Sequence, residues 1–331
     1  MKRWMTAILG LLCLSGCGTS NGAQLLSSFE AVAPTNVRAM GQVPSFAPSI
    51  TADAHAGSFG LAPAGPLHFY FCSDTHDGFS LFRKMVGQAN EARPAFVLDG
   101  GDLTEQGMAS ETRLLNSTIA GLQVPFVALP GNHDYKHDNI KAFEQEFGNT
   151  PRTFDSAGVH FILINDADQQ LSEDTFKFLE SDLPKYPNTP IVVAMHVPVE
   201  WKSTPAALEM LHKLLPGTIA EPKIENPQQV QRFTDLMQRY HVALVLAGHT
   251  HFPGHYEAEG VPYEVAGAAG GKLINVGASH EYLDVTIEDG KPSIKHVALD
   301  QPTNNILEVA ENMLEYFLMQ QREEQNGVAA S

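Results

Sequence analysis

The sequence predicts an α/β fold with two sheet faces. Three observations predict it. Short apolar runs of strand character alternate with segments whose apolar residues recur at helical spacing. Beyond residue 255 the spacing tightens into a strand meander. Short polar segments rich in Asp, His and Asn stand directly after the strand runs, where α/β folds open their crevices.

The strand runs fall at 67–72, 95–98, 124–129, 159–164, 190–195 and 242–247. Helices are expected at 78–91, 105–120, 138–147, 172–182 and 229–240. Leu81, Phe82, Met85 and Ala89 form one apolar stripe of period 3.6, and Phe176, Leu179 and Leu183 form another. The meander comprises 262–265, 272–276, 282–287 and 293–299, with turns at Ala268–Gly271 and Glu288–Gly290. It reads as a second sheet face of the same domain. A last helix is expected at about 304–323, with Ile306, Ala310, Met313 and Phe317 on one face. The stretch 197–227 is rich in proline and holds a helix candidate at 205–214. It lies between two polar segments and reads as a long loop over the site, the place for substrate contact.

The 331 residues, 43% of them hydrophobic, suffice for one large core. The first residues do not belong to it. Lys2 and Arg3 precede an apolar stretch, Met5–Leu14, too short to span a bilayer. The segment Leu14-Ser15-Gly16-Cys17 resembles the lipobox of bacterial lipoproteins, which implies a signal peptide at 1–16 and an acylated Cys17 in the bilayer. Gly18 in place of Asp points to outer-membrane sorting, so the expected location is the periplasmic face of a bacterial membrane. The alternative is a plain secretory signal cleaved near Ala23. Residues 17–66 read as tether and N-terminal arm, 67–300 as the folded domain, and 301–331 as a C-terminal helix with a polar tail.

Cys13 leaves with the signal and Cys17 carries lipid, so Cys72 stands alone and is expected to be buried in its strand. The formal charge of −17 becomes −19 once Lys2 and Arg3 are lost. Such a surface argues against nucleic acid or anionic lipid as a broad partner. A small phosphorylated substrate is compatible with it, because bound cations invert the field inside one cleft.

Five polar segments carry the chemistry. They are Asp74-Thr75-His76, Gly101-Asp102, Gly131-Asn132-His133-Asp134, Met195-His196 and Gly248-His249-Thr250-His251. Their glycines permit sharp exits from the strands. Seen alone, His196 would be a structural histidine at a strand end, and His249 and His251 would steady a loop. Together they offer carboxylate, amide and imidazole donors without a thiolate, a set suited to Mn, Fe or Zn. Asp99 and Asp77 are offset from the ligand pattern and read as loop-anchoring or outer-sphere groups.

The ordered pattern is similar to that of the calcineurin-like metallophosphoesterases over about residues 67–255. The resemblance implies a four-layer α-β-β-α sandwich with two mixed sheets and the dimetal site at strand ends. It implies that Asp74, His76 and His251 hold one metal ion, that Asn132, His196 and His249 hold the other, and that Asp102 bridges both. His133 is expected to face the phosphate, as hydrogen-bond donor or general acid, with Asp134 orienting it through its other ring nitrogen. Purple acid phosphatases carry a metal-binding tyrosine three residues after the bridging aspartate, whereas Glu105 stands there in this chain. The expected reaction is hydrolysis of small phosphomonoesters. The alternatives are a phosphodiesterase on cyclic nucleotides, glycerophosphodiesters or lipid headgroups, and a silent metal-binding lipoprotein. The oligomeric state is left open.

Overall fold

The computed structural model describes residues 58–59, 65–136, 140–200, 223–274, 277–305, 307–309 and 311–312. All belong to one compact unit, Ser45–Ser331. Cys17, the signal peptide, most of the tether, the helix expected at 205–214 and the polar tail lie outside the described residues.

Strands β1 (Ser58–Phe59), β2 (Leu67–Cys72), β3 (Val97–Asp99) and β4 (Phe126–Ala128) alternate with helices α1 (Phe79–Ala92), α2 (Ala109–Ile119) and α3 (Ile140–Phe147). Then come β5 (Arg152–Ser156), β6 (Val159–Leu163), α4 (Glu173–Asp182), β7 (Ile191–Ala194), α5 (Pro227–Arg239) and β8 (Leu244–Ala247). The chain continues through β9 (Gly254–Ala258), β10 (Val261–Val265), β11 (Glu281–Glu288) and β12 (Lys291–Ala298). Two mixed sheets result. One has the order β12-β11-β2-β3-β4, and the other β1-β5-β6-β7-β8-β10-β9.

The period of two along each strand sorts side chains between layers. On β2, Phe69 and Phe71 enter the core between the sheets, while Tyr70 and Cys72 face α1 and α2. On β8, Leu244 and Leu246 face inward, while Val245 and Ala247 meet α4 and α5. The inter-sheet core is aromatic: Phe69 of one sheet meets Phe161 of the other edge to face, with centroids 5.3 Å apart. Burying each such Phe contributes roughly 1.5–3 kcal/mol. With helices packed on both outer faces, the expected four-layer sandwich is present.

Helix ends follow local chemistry. Ser172 caps α4 by accepting from the N–H of Thr175 at 3.1 Å, and Glu173 and Asp174 complement its dipole. Asn226 caps α5, with Pro227 in the first turn, so the proline read as loop starts a helix. α2 starts later than expected because the Glu111 carboxylate accepts from the N–H groups of Gln106 and Met108, which leaves 105–108 as a loop.

Two differences from the sequence reading stand out. Residues 272–274 form no strand. The Lys272 and Leu273 carbonyls accept instead from the side chains of His251 and Asn312. Strands β5 and β9 were not expected. Both lie toward the edge of their sheet and carry polar residues: β9 leaves His255 and Glu257 exposed. Of the helix expected at 304–323, residues 307–309 and 311–312 are helical among those described. Cys72 is fully buried, as expected.

Candidate metal centre

All five polar segments converge at the strand ends. The backbone there is unusual: Asp74, His76, Asp102, His249 and His251 all have positive φ, between 46° and 70°. Non-glycine residues rarely adopt this region, and such strain concentrates at functional sites. Glycine is required beside them. A Cβ on Gly131 would lie 2.2 Å from Oδ1 of Asp102, and one on Gly248 would lie 1.9 Å from Oγ of Ser73.

One donor set is Asp74, His76 and His251, all buried. Nε2 of His76 and Nε2 of His251 face each other at 3.0 Å. Nδ1 of His251 donates to the Lys272 carbonyl at 2.7 Å, so its Nε2 carries a lone pair. Nδ1 of His76 lies 2.9 Å from the Glu105 carboxylate, though off the hydrogen-bond axis. Two such nitrogens in contact need a proton or a metal ion between or beside them. Oδ1 of Asp74 lies 3.5 Å from Nε2 of His251, is buried, and has no hydrogen-bond partner. An orphan carboxylate oxygen beside two imidazole nitrogens fits a metal ion.

Asp102, His196 and His249 form another set. Nδ1 of His196 donates to the Gly100 carbonyl at 2.9 Å, which turns Nε2 inward. That Nε2 lies 3.1 Å from Oδ1 of Asn132, 3.2 Å from Nδ1 of His249 and 3.3 Å from Oδ2 of Asp102. The same Asp102 oxygen lies 3.7 Å from Nε2 of His76, so it faces both sets. Burial alone would lower the pKa of His196, but Asp102 outweighs it and lifts it to about 10. Burial likewise opposes charge on Asp102, yet His196 and His133 hold it well below the usual carboxylate range. The field therefore favours a cation at the inward nitrogen, where proton and metal compete. The structure thus holds two clustered metal-binding sites, as a dimetal centre requires.

His133 is buried, with Nε2 4.0 Å from Oδ2 of Asp102. Its Nδ1 donates to the Glu105 carbonyl at 2.7 Å. Burial pushes its pKa down to about 3; Asp102 opposes this, while His76 and Lys136 reinforce it. Asp134 does not orient this ring, which corrects the expectation. Its carboxylate accepts from the N–H groups of Leu103, Thr104 and Gly131 and from the Thr104 hydroxyl. Neighbours on a tight turn point apart, so Asp134 ties the Asp102 loop to the Asn132 loop. Burial, with Asp102 adding to it, raises Asp134 to about 6.

Lys136 and Asp166 were not singled out from the sequence, and Glu105 only as the residue standing in place of a tyrosine. Glu105 groups with His76 and His133. Nζ of Lys136 lies 3.0 Å from Nδ1 of His133. Asp166 accepts from the N–H groups of His196 and Val197, both at 2.9 Å, and so fixes the strand exit. Its position just past β6 is the one signal that marks it. Asp99 anchors a loop as expected, accepting from the Gly101 N–H at 3.0 Å. His255 pairs with Glu264 and is exposed, and His160 is clasped by Asp155 and Asp182. His137 lies outside the described residues.

A model of the calcineurin-like phosphoesterase family matches residues 67–253, more than half of the chain, and the chain belongs to that family. A protein of Arcobacter nitrofigilis described as a probable glycerophosphodiester phosphodiesterase is 27% identical over 48% of this chain and 57% of its own length. A 3',5'-cyclic-nucleotide phosphodiesterase of Nostoc sp. is 28% identical over 51% of this chain and 61% of its own. The chain thus spans about three fifths of these curated relatives. Among solved structures, a dimetal phosphatase from Danio rerio superposes with a TM-score of 0.55 at 13% identity, covering 72% of this chain and 100% of that one. The fold and site architecture match those of dimetal phosphoesterases.

Proposed function

We propose that this protein is a dimetal phosphodiesterase acting on a small phosphodiester, such as a glycerophosphodiester or a cyclic nucleotide. The observation that carries the chemistry is Asp102, whose carboxylate faces His76 in one donor set and His196 in the other. The diester preference rests on the relatives, which are described as phosphodiesterases. They favour this alternative over the phosphomonoesterase expected from the sequence.

Asp74, His76 and His251 would hold one ion, and Asn132, His196 and His249 the other, with Asp102 shared. Bound ions supply Lewis-acid charge to the phosphoryl oxygens and lower the pKa of water. The chain supplies the rest. Hydrogen bonds from Nδ1 of His196 and His251 to backbone carbonyls fix which ring nitrogens face inward. His133, with Nδ1 held by the Glu105 carbonyl, presents Nε2 to the substrate. An incoming phosphate anion raises its proton affinity, so that it can hold a proton for the leaving oxygen.

The test is a panel of diesters and monoesters on protein loaded separately with Mn, Zn and Fe. A glycerophosphodiester or a 3',5'-cyclic nucleotide should be hydrolysed with higher kcat/KM than matched monoesters. Monoester turnover without diester turnover would overturn the assignment.

We also propose lipid anchoring through Cys17 at the periplasmic face of the outer membrane, on the strength of Leu14-Ser15-Gly16-Cys17 and Gly18. Cys17→Ala should move the protein out of the membrane fraction; membrane retention of that variant would refute the anchor.

A further inference from the structure

The glycine-rich segment Gly267–Gly271 lies beyond the region matched by the family model, yet with Lys272 it touches every member of one donor set. The N–H groups of Gly270 and Gly271 donate to the Asp74 carbonyl at 3.2 and 2.8 Å. A Cβ on Gly271 would lie 2.5 Å from Cδ2 of His76 and 2.7 Å from Cε1 of His251, so the backbone packs directly on both rings. The Lys272 carbonyl receives Nδ1–H of His251.

Two side chains grip the same loop from its other side. Nε2 of His280 donates to the Gly271 carbonyl at 2.9 Å, and Nδ2 of Asn312 donates to the Leu273 carbonyl at 3.0 Å. Three consecutive carbonyls thus accept from three different parts of the chain, and the middle one serves a ligand of the candidate centre. His280 is itself fixed by Asp300, through Nδ1 at 2.6 Å and its own N–H at 2.9 Å. Backbone bonds between Gly277 and Thr303 and between Thr303 and Ala278 tie the C-terminal segment to the approach of β11.

We propose that His280 and Asn312 are positioning residues for the metal centre. They hold the flanking carbonyls of residues 271–273 so that the Lys272 carbonyl keeps the His251 ring, and Gly271 the His76 ring, in ligand orientation. The C-terminal segment is then part of the metal site's support. This rests on the assignment of Asp74, His76 and His251 as metal ligands. Partners that orient a metal-bound histidine typically contribute 10- to 100-fold to metal affinity.

The test uses the full chain and two metals as probes: Mn²⁺ by calorimetric titration and Co²⁺ by its visible spectrum, which reads ligand geometry. His280→Ala and Asn312→Asp should each weaken one of the two Mn²⁺ sites by about 10- to 100-fold and alter the Co²⁺ spectrum, with the other site and the thermal midpoint preserved. Asn312→Asp keeps the side-chain volume and removes the donor, so it decides the matter if His280→Ala fails to fold. His280→Gln, which retains a donor for the Gly271 carbonyl, should recover affinity. Leu307→Ala, on the exposed face of the same C-terminal helix, should change nothing. Folded His280→Ala and Asn312→Asp variants with wild-type Mn²⁺ affinity and Co²⁺ spectrum would overturn the proposal. Wild-type protein that binds no second ion would overturn the ligand assignment instead.

Discussion

Nε2 of His76 and Nε2 of His251 stand 3.0 Å apart, the His251 ring turned inward by the hydrogen bond from its Nδ1 to the Lys272 carbonyl. With the orphan Oδ1 of Asp74 beside them, the three groups call for a positive charge, which a metal ion supplies to all of them at once. Metal binding should therefore raise folding stability. An ion at 100 times its Kd adds about 2.7 kcal/mol. Thermal unfolding with Mn²⁺ and with EDTA measures this. Identical midpoints would show that the cluster holds no metal in the native state.

Asp102 is the shared element, buried and facing both donor sets. It also accepts from the His133 N–H at 2.8 Å. Asp102→Ala removes the carboxylate that offsets two sets of imidazole ligands, so at least one metal should be lost. Elemental analysis after dialysis reads this directly. Full retention of both ions would refute the bridging role.

His133 offers a sharper separation of chemistry from binding. Its ring approaches Asp102 only at 4.0 Å, and its Nδ1 is bonded to a backbone carbonyl. His133→Ala should keep the fold and the metal content while turnover falls by roughly 10²–10⁴. The loss should lie mainly in kcat and be smallest for substrates with good leaving groups. An unchanged rate on a substrate with a poor leaving group would remove His133 from the reaction.

These assignments drew on the sequence unevenly. The strands that carry ligands were legible because both their faces are buried, so they appear as continuous apolar runs: Phe69–Cys72, Val192–Ala194 and Leu244–Ala247. The ligands were legible because each sits within a few residues of such a run. β9 was not, because an edge strand needs only one apolar face, and His255 and Glu257 interrupt its pattern. Glu105 was visible as a departure from a tyrosine, but its contact with His76 depends on how two strand exits converge. Asp134 was expected, from the family resemblance, to orient the ring of His133. The turn sends its carboxylate to the Gly101–Thr104 side instead, where it accepts from Leu103 and Thr104.

Outside the centre, His296 on β12 bridges the two sheets. Its Nε2 lies 2.8 Å from Glu264 on β10, and its Nδ1 lies 2.7 Å from Glu281 on β11. Glu264 also pairs with exposed His255 at 2.7 Å. Hydrogen bonds to Glu264 and Glu281 raise the pKa of His296 to about 10, against the opposing effect of burial. The folded state therefore binds this proton more tightly than the unfolded chain, whose histidine titrates near about 6.5. The stabilisation is fully present below that value and is lost as pH rises towards about 10. Because the ring is 37% exposed, solvent screening reduces its size. Urea unfolding from pH 6 to 10 should show wild-type stability falling with pH more steeply than that of His296→Gln. Parallel curves would mean that the imidazolium contributes nothing to holding the sheets together, since the substitution preserves a neutral donor but removes the titrating charge.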